Sequence, residues 1–182
     1  MYWYKSKINF LSLLGAGIFI SLVSSCKPDV RDTNLKYFDL DGYFKNEATR
    51  LTKANMLINK SVTHNGTTET KKLHISNWDT ELSLFKASDI NRPAWKKSYS
   101  ILKDSDIIIY KALEPELTTR EILIKLADGK VKYMMIINDT HNMIYTTREK
   151  LSYFPDSLYL IQKSQKVRFL GVNNYDIRGS FN

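Results

Sequence analysis

The stretch TREILIKLADGKVKYMMIIN, residues 119–138, decides the fold. Apolar residues alternate with polar ones on both sides of Asp128-Gly129, a dipeptide favoured in two-residue type I′ hairpin turns. A tight turn there pairs Ala127 with Lys130, Leu126 with Val131, Ile124 with Tyr133 and Leu123 with Met134. One face then gathers Ile122, Ile124, Leu126, Val131, Tyr133, Met135 and Ile137. The other carries Lys125, Lys130 and Lys132 near the turn, but Leu123, Met134 and Ile136 further from it. Away from its turn, this hairpin is apolar on both sides.

Strands continue in both directions. Residues 98–103 and 106–113 flank Asp104-Ser105, and a strand beginning near Met143 follows the turn Asp139-Thr140-His141-Asn142. Pro155-Asp156 breaks the chain before a hairpin of residues 157–162 and 165–172, and residues 174–181 read as a last, edge strand. The connections are too short for crossover helices, so the sheet is expected to be an antiparallel meander. Upstream, Asn65-Gly66 is a second type I′ signal. It places Ile58, Val62 and Leu73 on one face and Asn59, Ser61, Thr70, Lys72 and His74 on the other. Lys60 falls opposite Lys71, and Glu69 shares the apolar face, two points of strain.

Ahead of that hairpin, Leu40, Tyr43, Phe44, Leu51 and Ile58, with Ala48 and Ala54, follow helical spacing, and Asp39 or Asp41 can cap the helix. Lys45, Asn46, Arg50 and Lys53 occupy its opposite side. Asn77 can cap a short second helix carrying Trp78, Leu82 and Phe85 and ending near Ser88, before Arg92-Pro93 and an extended Trp95. The expected fold is α+β: an N-terminal amphipathic helix and a short second helix packed on a curved antiparallel β-meander. An antiparallel sheet can leave one face in water, so its second apolar surface needs a cover. Either the helices supply it, through Leu51, Trp78 and Phe85, or the surface lines an apolar-ligand site formed by Leu123, Met134, Ile136, Tyr99 and Tyr110.

No sequence motif supplies chemistry. His64 lies at a hairpin tip, His74 on a polar strand face and His141 in a turn, none at metal-ligand spacing. There is no GxSxG, no phosphate-cradling glycine loop and no HExxH. No cofactor, metal or catalytic residue is expected, and the protein is not read as an enzyme.

The leader places the protein. Lys5 and Lys7 precede Ile8 to Val23, an uncharged run shorter than the about 20 residues that span a bilayer. It ends in Leu22-Val23-Ser24-Ser25-Cys26, which resembles the bacterial lipobox, and Cys26 is the chain's single cysteine. The resemblance implies a diacylglyceryl group on the Cys26 thiol, cleavage before Cys26, and acylation of the new amine. It divides the chain into a signal peptide (1–25), a lipidated cysteine with a flexible tether (26–36) and one α+β domain (37–182). Leader and general style are similar to those of the small outer-membrane lipoproteins of the Bacteroidota, which implies a lipid-anchored envelope protein, on either face of the outer membrane.

Removing residues 1–25, which hold two lysines and no acid, lowers the formal net charge from +8 to +6. For an exported lipoprotein this charge points to anionic headgroups or envelope polymers, not to nucleic acid. The expected function is a non-catalytic interaction or accessory module docking on another envelope protein or polymer. The alternative is a half-barrel carrier or sensor of a lipid or other apolar ligand.

Overall fold

The structure, a computed structural model, describes residues 35–181. The leader, the lipobox with Cys26, and the tether as far as residue 34 lie outside the described residues.

Chain order is α1 (Leu40–Ala54), β1 (Leu57–His64), β2 (Thr67–His74), α2 (Trp78–Glu81), α3 (Ser83–Ala87), a 3-10 turn (Pro93–Trp95), then β3 (Tyr99–Asp104), β4 (Ile107–Ala112), β5 (Thr119–Ala127), β6 (Lys130–His141), β7 (Tyr145–Phe154), β8 (Leu158–Val167) and β9 (Gly171–Phe181). Asp39 caps α1 by accepting from the Gly42 N–H at 2.8 Å, and Asn77 caps α2 by accepting from the Thr80 N–H at 3.0 Å. These bonds satisfy donors that a helix start leaves unpaired. The short second helix is broken at Leu82 into α2 and α3. Trp95 is helical, not extended. Ile58, which helical spacing also allowed on α1, lies in β1 after α1 stops at a left-handed Asn55.

The strands form one open antiparallel sheet in the order β2-β1-β9-β8-β7-β6-β5-β4-β3. It is a meander from β3 to β9, with the N-terminal hairpin added beside β9. β8 runs on to Val167, past the turn expected after residue 162, and β9 (Gly171–Phe181) takes in the rest of the expected 165–172 strand and the 174–181 strand; it is interior, not an edge. Its place follows from side-chain burial: Ile58 lies opposite Phe181 and Val62 opposite Ile177, which aligns the apolar faces of β1 and β9. β1 and β2 have the expected register, His64 opposite Thr67 through Leu57 opposite His74. The turn between β3 and β4 is Ser105-Asp106, one residue later than expected.

The decisive hairpin departs from its expected register. Leu126 pairs with Val131, but Lys125 then pairs with Tyr133, so Lys132 is an extra residue in a β-bulge. Beyond the bulge Ile124 faces Met134 and Ile122 faces Ile136, which puts all four on the helix side of the sheet. A second irregularity at Arg120 restores the original pairing at Thr119 and Asn138. One inserted residue inverts the inside–outside pattern of a strand, and that is what happened to Met134, Met135, Ile136 and Ile137.

The core lies between the helices and this face. Phe44 of α1 meets Phe85 of α3 at 4.8 Å and Tyr153 of β7 at 5.0 Å, while Trp78 of α2 meets Tyr159 of β8 at 6.2 Å. Tyr153 and Tyr159 are cross-strand partners, both fully buried. Their hydroxyls donate to helix carboxylates: Tyr153 to Glu47 at 2.6 Å and Tyr159 to Glu81. Arg50 grips Glu47 through two hydrogen bonds, and Lys60 reaches Glu81 at 2.6 Å. Lys60, the strain point opposite Lys71, therefore finds its counter-charge on α2. The Tyr159 ring lies across Gly179, its partner on β9, where a Cβ would overlap the ring.

Two expectations follow. Gly179→Ala must push Tyr159 off its glutamate, and should cost about 1–3 kcal/mol in urea unfolding; an unchanged midpoint would show that the ring moves freely. Burial first and the Glu47 hydrogen bond second hold the Tyr153 hydroxyl well above its ordinary 10.0, and burial pushes Tyr99 up to about 12. Tyr159 is raised likewise, by burial and then Glu81. Each phenol keeps its proton in the folded state while an unfolded chain ionises from about pH 10 upward, so stability falls as pH rises beyond 10. The last phenolate absorbance should therefore appear together with loss of far-UV dichroism. Complete phenolate formation in a chain with native dichroism would contradict this.

Candidate functional site

The five residues expected to line an apolar-ligand site do not share a surface. Tyr99, Tyr110, Met134 and Ile136 are 3%, 6%, 0% and 0% exposed and belong to the helix-covered core with Leu51, Trp78 and Phe85. Tyr37 packs edge-on against both Tyr99 and Tyr110, at 5.7 and 5.5 Å. The Tyr99 hydroxyl donates to the Thr119 carbonyl at 3.0 Å. Leu123 lies on the opposite face, paired with Met135 and half-buried. The Lys132 bulge causes this separation.

On the helix side, the sheet becomes polar toward the end where β6 stops and β7 begins. A cavity of about 250 Å³ there is lined by Ser88, Arg92, Trp95, Thr119, Asn138 and Glu149, among others. Asn138 Nδ2 donates to Ser88 Oγ at 2.9 Å, and Thr119 Oγ1 donates to the Ser88 carbonyl at 3.3 Å. Glu149 is held by Lys163 at 3.1 Å, and the Arg92 guanidinium lies 4.4 Å from the centre of the Trp95 ring. Asn138 Oδ1 and Thr147 Oγ1 are buried without a hydrogen-bond partner. Such atoms carry the desolvation penalty of an unmade bond.

The reverse face of the sheet carries Leu123, Met135 and Ile137 in one row, with Tyr133 stacked on Phe154 at 4.6 Å. These side chains are half-buried and none joins the core cluster. Next to Ile137 a groove of about 540 Å³ is lined by Arg148, Lys150, Gln162, Asn174, Tyr175 and Asp176. Arg148 faces Asp139 at 3.6 Å, and Gln162 donates to Asp176 at 2.9 Å. This surface offers an apolar strip beside cations and amides. Sequence reasoning missed it, because the assumed register put Leu123 and Met135 on different faces.

The histidines are dispersed. His64 stacks on Tyr175 at 4.4 Å, His74 Nδ1 is 2.9 Å from the Asn55 carbonyl, and His141 ends β6. Among the described residues no group of three or more His, Cys, Asp or Glu is placed to hold a metal ion. No helix among them is long and apolar enough to cross a membrane.

The unpaired Thr147 hydroxyl on this polar part of the sheet gives a test. Thr147→Val keeps the β-branched shape and removes an unpaired group, so it should stabilise the domain by about 1 kcal/mol. The urea midpoint should rise at constant slope; a lower midpoint would mean that the hydroxyl is satisfied in solution.

Comparison of the chain with protein-family models, with curated proteins and with solved structures returned no match.

Proposed function

We propose that the protein is a lipid-anchored lipoprotein of the cell envelope, held at the outer membrane through Cys26. Its domain then acts as a non-catalytic interaction module. The reverse face of the sheet carries this reading: Leu123, Met135 and Ile137 run beside a groove bearing Arg148, Lys150 and Asp176, outside the core. An apolar strip rimmed by polar groups is the usual composition of a docking surface. The partner class this composition fits is another envelope protein or an anionic envelope polymer.

A second reading, a carrier or sensor of an apolar ligand, draws on the same row of side chains. In that case the ligand lies on the reverse face beside Met135 and Ile137. The buried pair Met134 and Ile136 belongs to the core.

The test is photocrosslinking in intact cells, with the crosslinker at position 137 on the reverse face and at Asn46 on the exposed side of α1 as control. A discrete conjugate from position 137 that is absent from position 46, and lost in a Met135→Glu variant, is the expected result. The same random neighbours at both positions would reject the docking face, and a co-purifying lipid at position 137 would favour the carrier. In the same cells Cys26→Ala should accumulate as unprocessed precursor without lipid label. Normal processing of that variant would remove the anchor from the proposal.

A further inference from the structure

Two neighbouring turns at one rim of the sheet are apolar and fully presented to solvent. In the turn between β6 and β7, Met143 and Ile144 are 88% and 67% exposed. In the turn between β8 and β9, Phe169 and Leu170 are 93% and 80% exposed, with Val172 at 51% just beyond. The turns are tied together, the Arg168 N–H donating to the Ile144 carbonyl at 2.9 Å, so these side chains form one tip. Scattered exposed apolar residues need no explanation, but four on two bonded turns, with Val172 beside them, do. Phe169 also sits at φ 73°, a left-handed conformation that is an outlier for a bulky side chain.

The two turns and the residues next to them carry only positive charge, while Glu116 and Asp139 lie further along the same rim beside His141. Segments 140–147 and 164–175 contain no aspartate or glutamate, while Lys166 and Arg168 flank the aromatic residue, with the Arg168 guanidinium over the Phe169 ring. The folded chain also begins at this rim. Tyr37 packs on Tyr99 and Tyr110, whose strand ends lie at the same end of the sheet as the two turns. The segment between Cys26 and Leu35 spans at most about 30 Å when extended. A lipid on Cys26 would tether the domain from the side of this rim.

We infer that the tip Met143, Ile144, Phe169 and Leu170 is a second, non-covalent membrane contact: it inserts into the interfacial layer of an anionic bilayer, with Lys166 and Arg168 at the headgroups. This orientation rests on the lipid-anchor reading. Apolar side chains beside cations are the composition of interfacial binding segments. Each cation near an anionic surface adds about fivefold to the partition. Two membrane contacts would fix the domain's orientation and turn the reverse face sideways, open to a partner.

The experiment uses the full chain bound to vesicles of phosphatidylethanolamine and phosphatidylglycerol. An environment-sensitive fluorescent amino acid stands at position 169, or at position 128 on the other rim as control. Blue-shifted emission at 169, quenched by lipids brominated in the acyl chain, with water-like emission at 128, is the expected result. Leu170→Asp with Ile144→Asp should reduce the quenching at 169 at least about tenfold while dichroism stays native. Water-like emission at 169 on vesicles that carry the protein would overturn the proposal. So would shielding of 169 only after envelope proteins are added, which would make the tip a protein contact. Failure of the anchor reading is seen separately, as unchanged processing of Cys26→Ala, whatever the depth at position 169.

Discussion

Two adjacent tyrosines hold the helices to the sheet. Tyr153 and Tyr159 face each other across β7 and β8, and each donates a hydroxyl hydrogen bond to a glutamate on a different helix. Burying a carboxylate is unfavourable unless it is paired and hydrogen-bonded. Both glutamates meet that condition, Glu47 through Arg50 and Glu81 through Lys60. The rings contribute apolar area while the hydroxyls define where α1 and α2 must sit. Gly179 belongs to the same arrangement, since only a residue without a side chain lets the Tyr159 ring lie across β9. The positions of the helices, and thus the part of the sheet they cover, follow from these contacts.

Because the helices cover only part of one face, the sheet has three kinds of surface. Under the helices it is dry and aromatic. Past α3 on the same side it is polar, with Asn138, Thr147 and the Glu149–Lys163 pair. The reverse side mixes an apolar row with a cationic and amide groove. A lipid carrier whose ligand sat under the helices would need space among Tyr99, Tyr110, Met134 and Ile136, and those positions are packed.

Much of the fold could be read from local pattern. The Asn65-Gly66 and Asp128-Gly129 turns, the caps at Asp39 and Asn77, and the pairing of β1 with β2 are all decided within a few residues, where turn and cap chemistry dominates. The bulge at Lys132 could not be read, because Lys130 and Lys132 are both polar and a single inserted lysine leaves no trace in the alternation. The candidate lining failed with it, since the faces of Met134 and Ile136 depend on that residue. The site of β9 was hidden for another reason: pairing between distant strands leaves no local signal. Glu47 did carry one. With Phe44, Ala48 and Leu51 it completes the helical rhythm of the buried stripe, and a carboxylate in that stripe requires a donor from another element.

The pairing of β1 with β9 has a consequence for how the chain is made. Ile58 meets Phe181, so the hairpin of β1 and β2 has no sheet to join until the last described strand has left the ribosome. A two-stranded hairpin alone is at best marginally stable in water, and closing so long a loop is slow and entropically costly. Vectorial synthesis therefore leaves β1 and β2 apart from the rest of the sheet until β9 has emerged. Until then the outer edge of β1, which β9 covers in the folded sheet, has only β2 beside it.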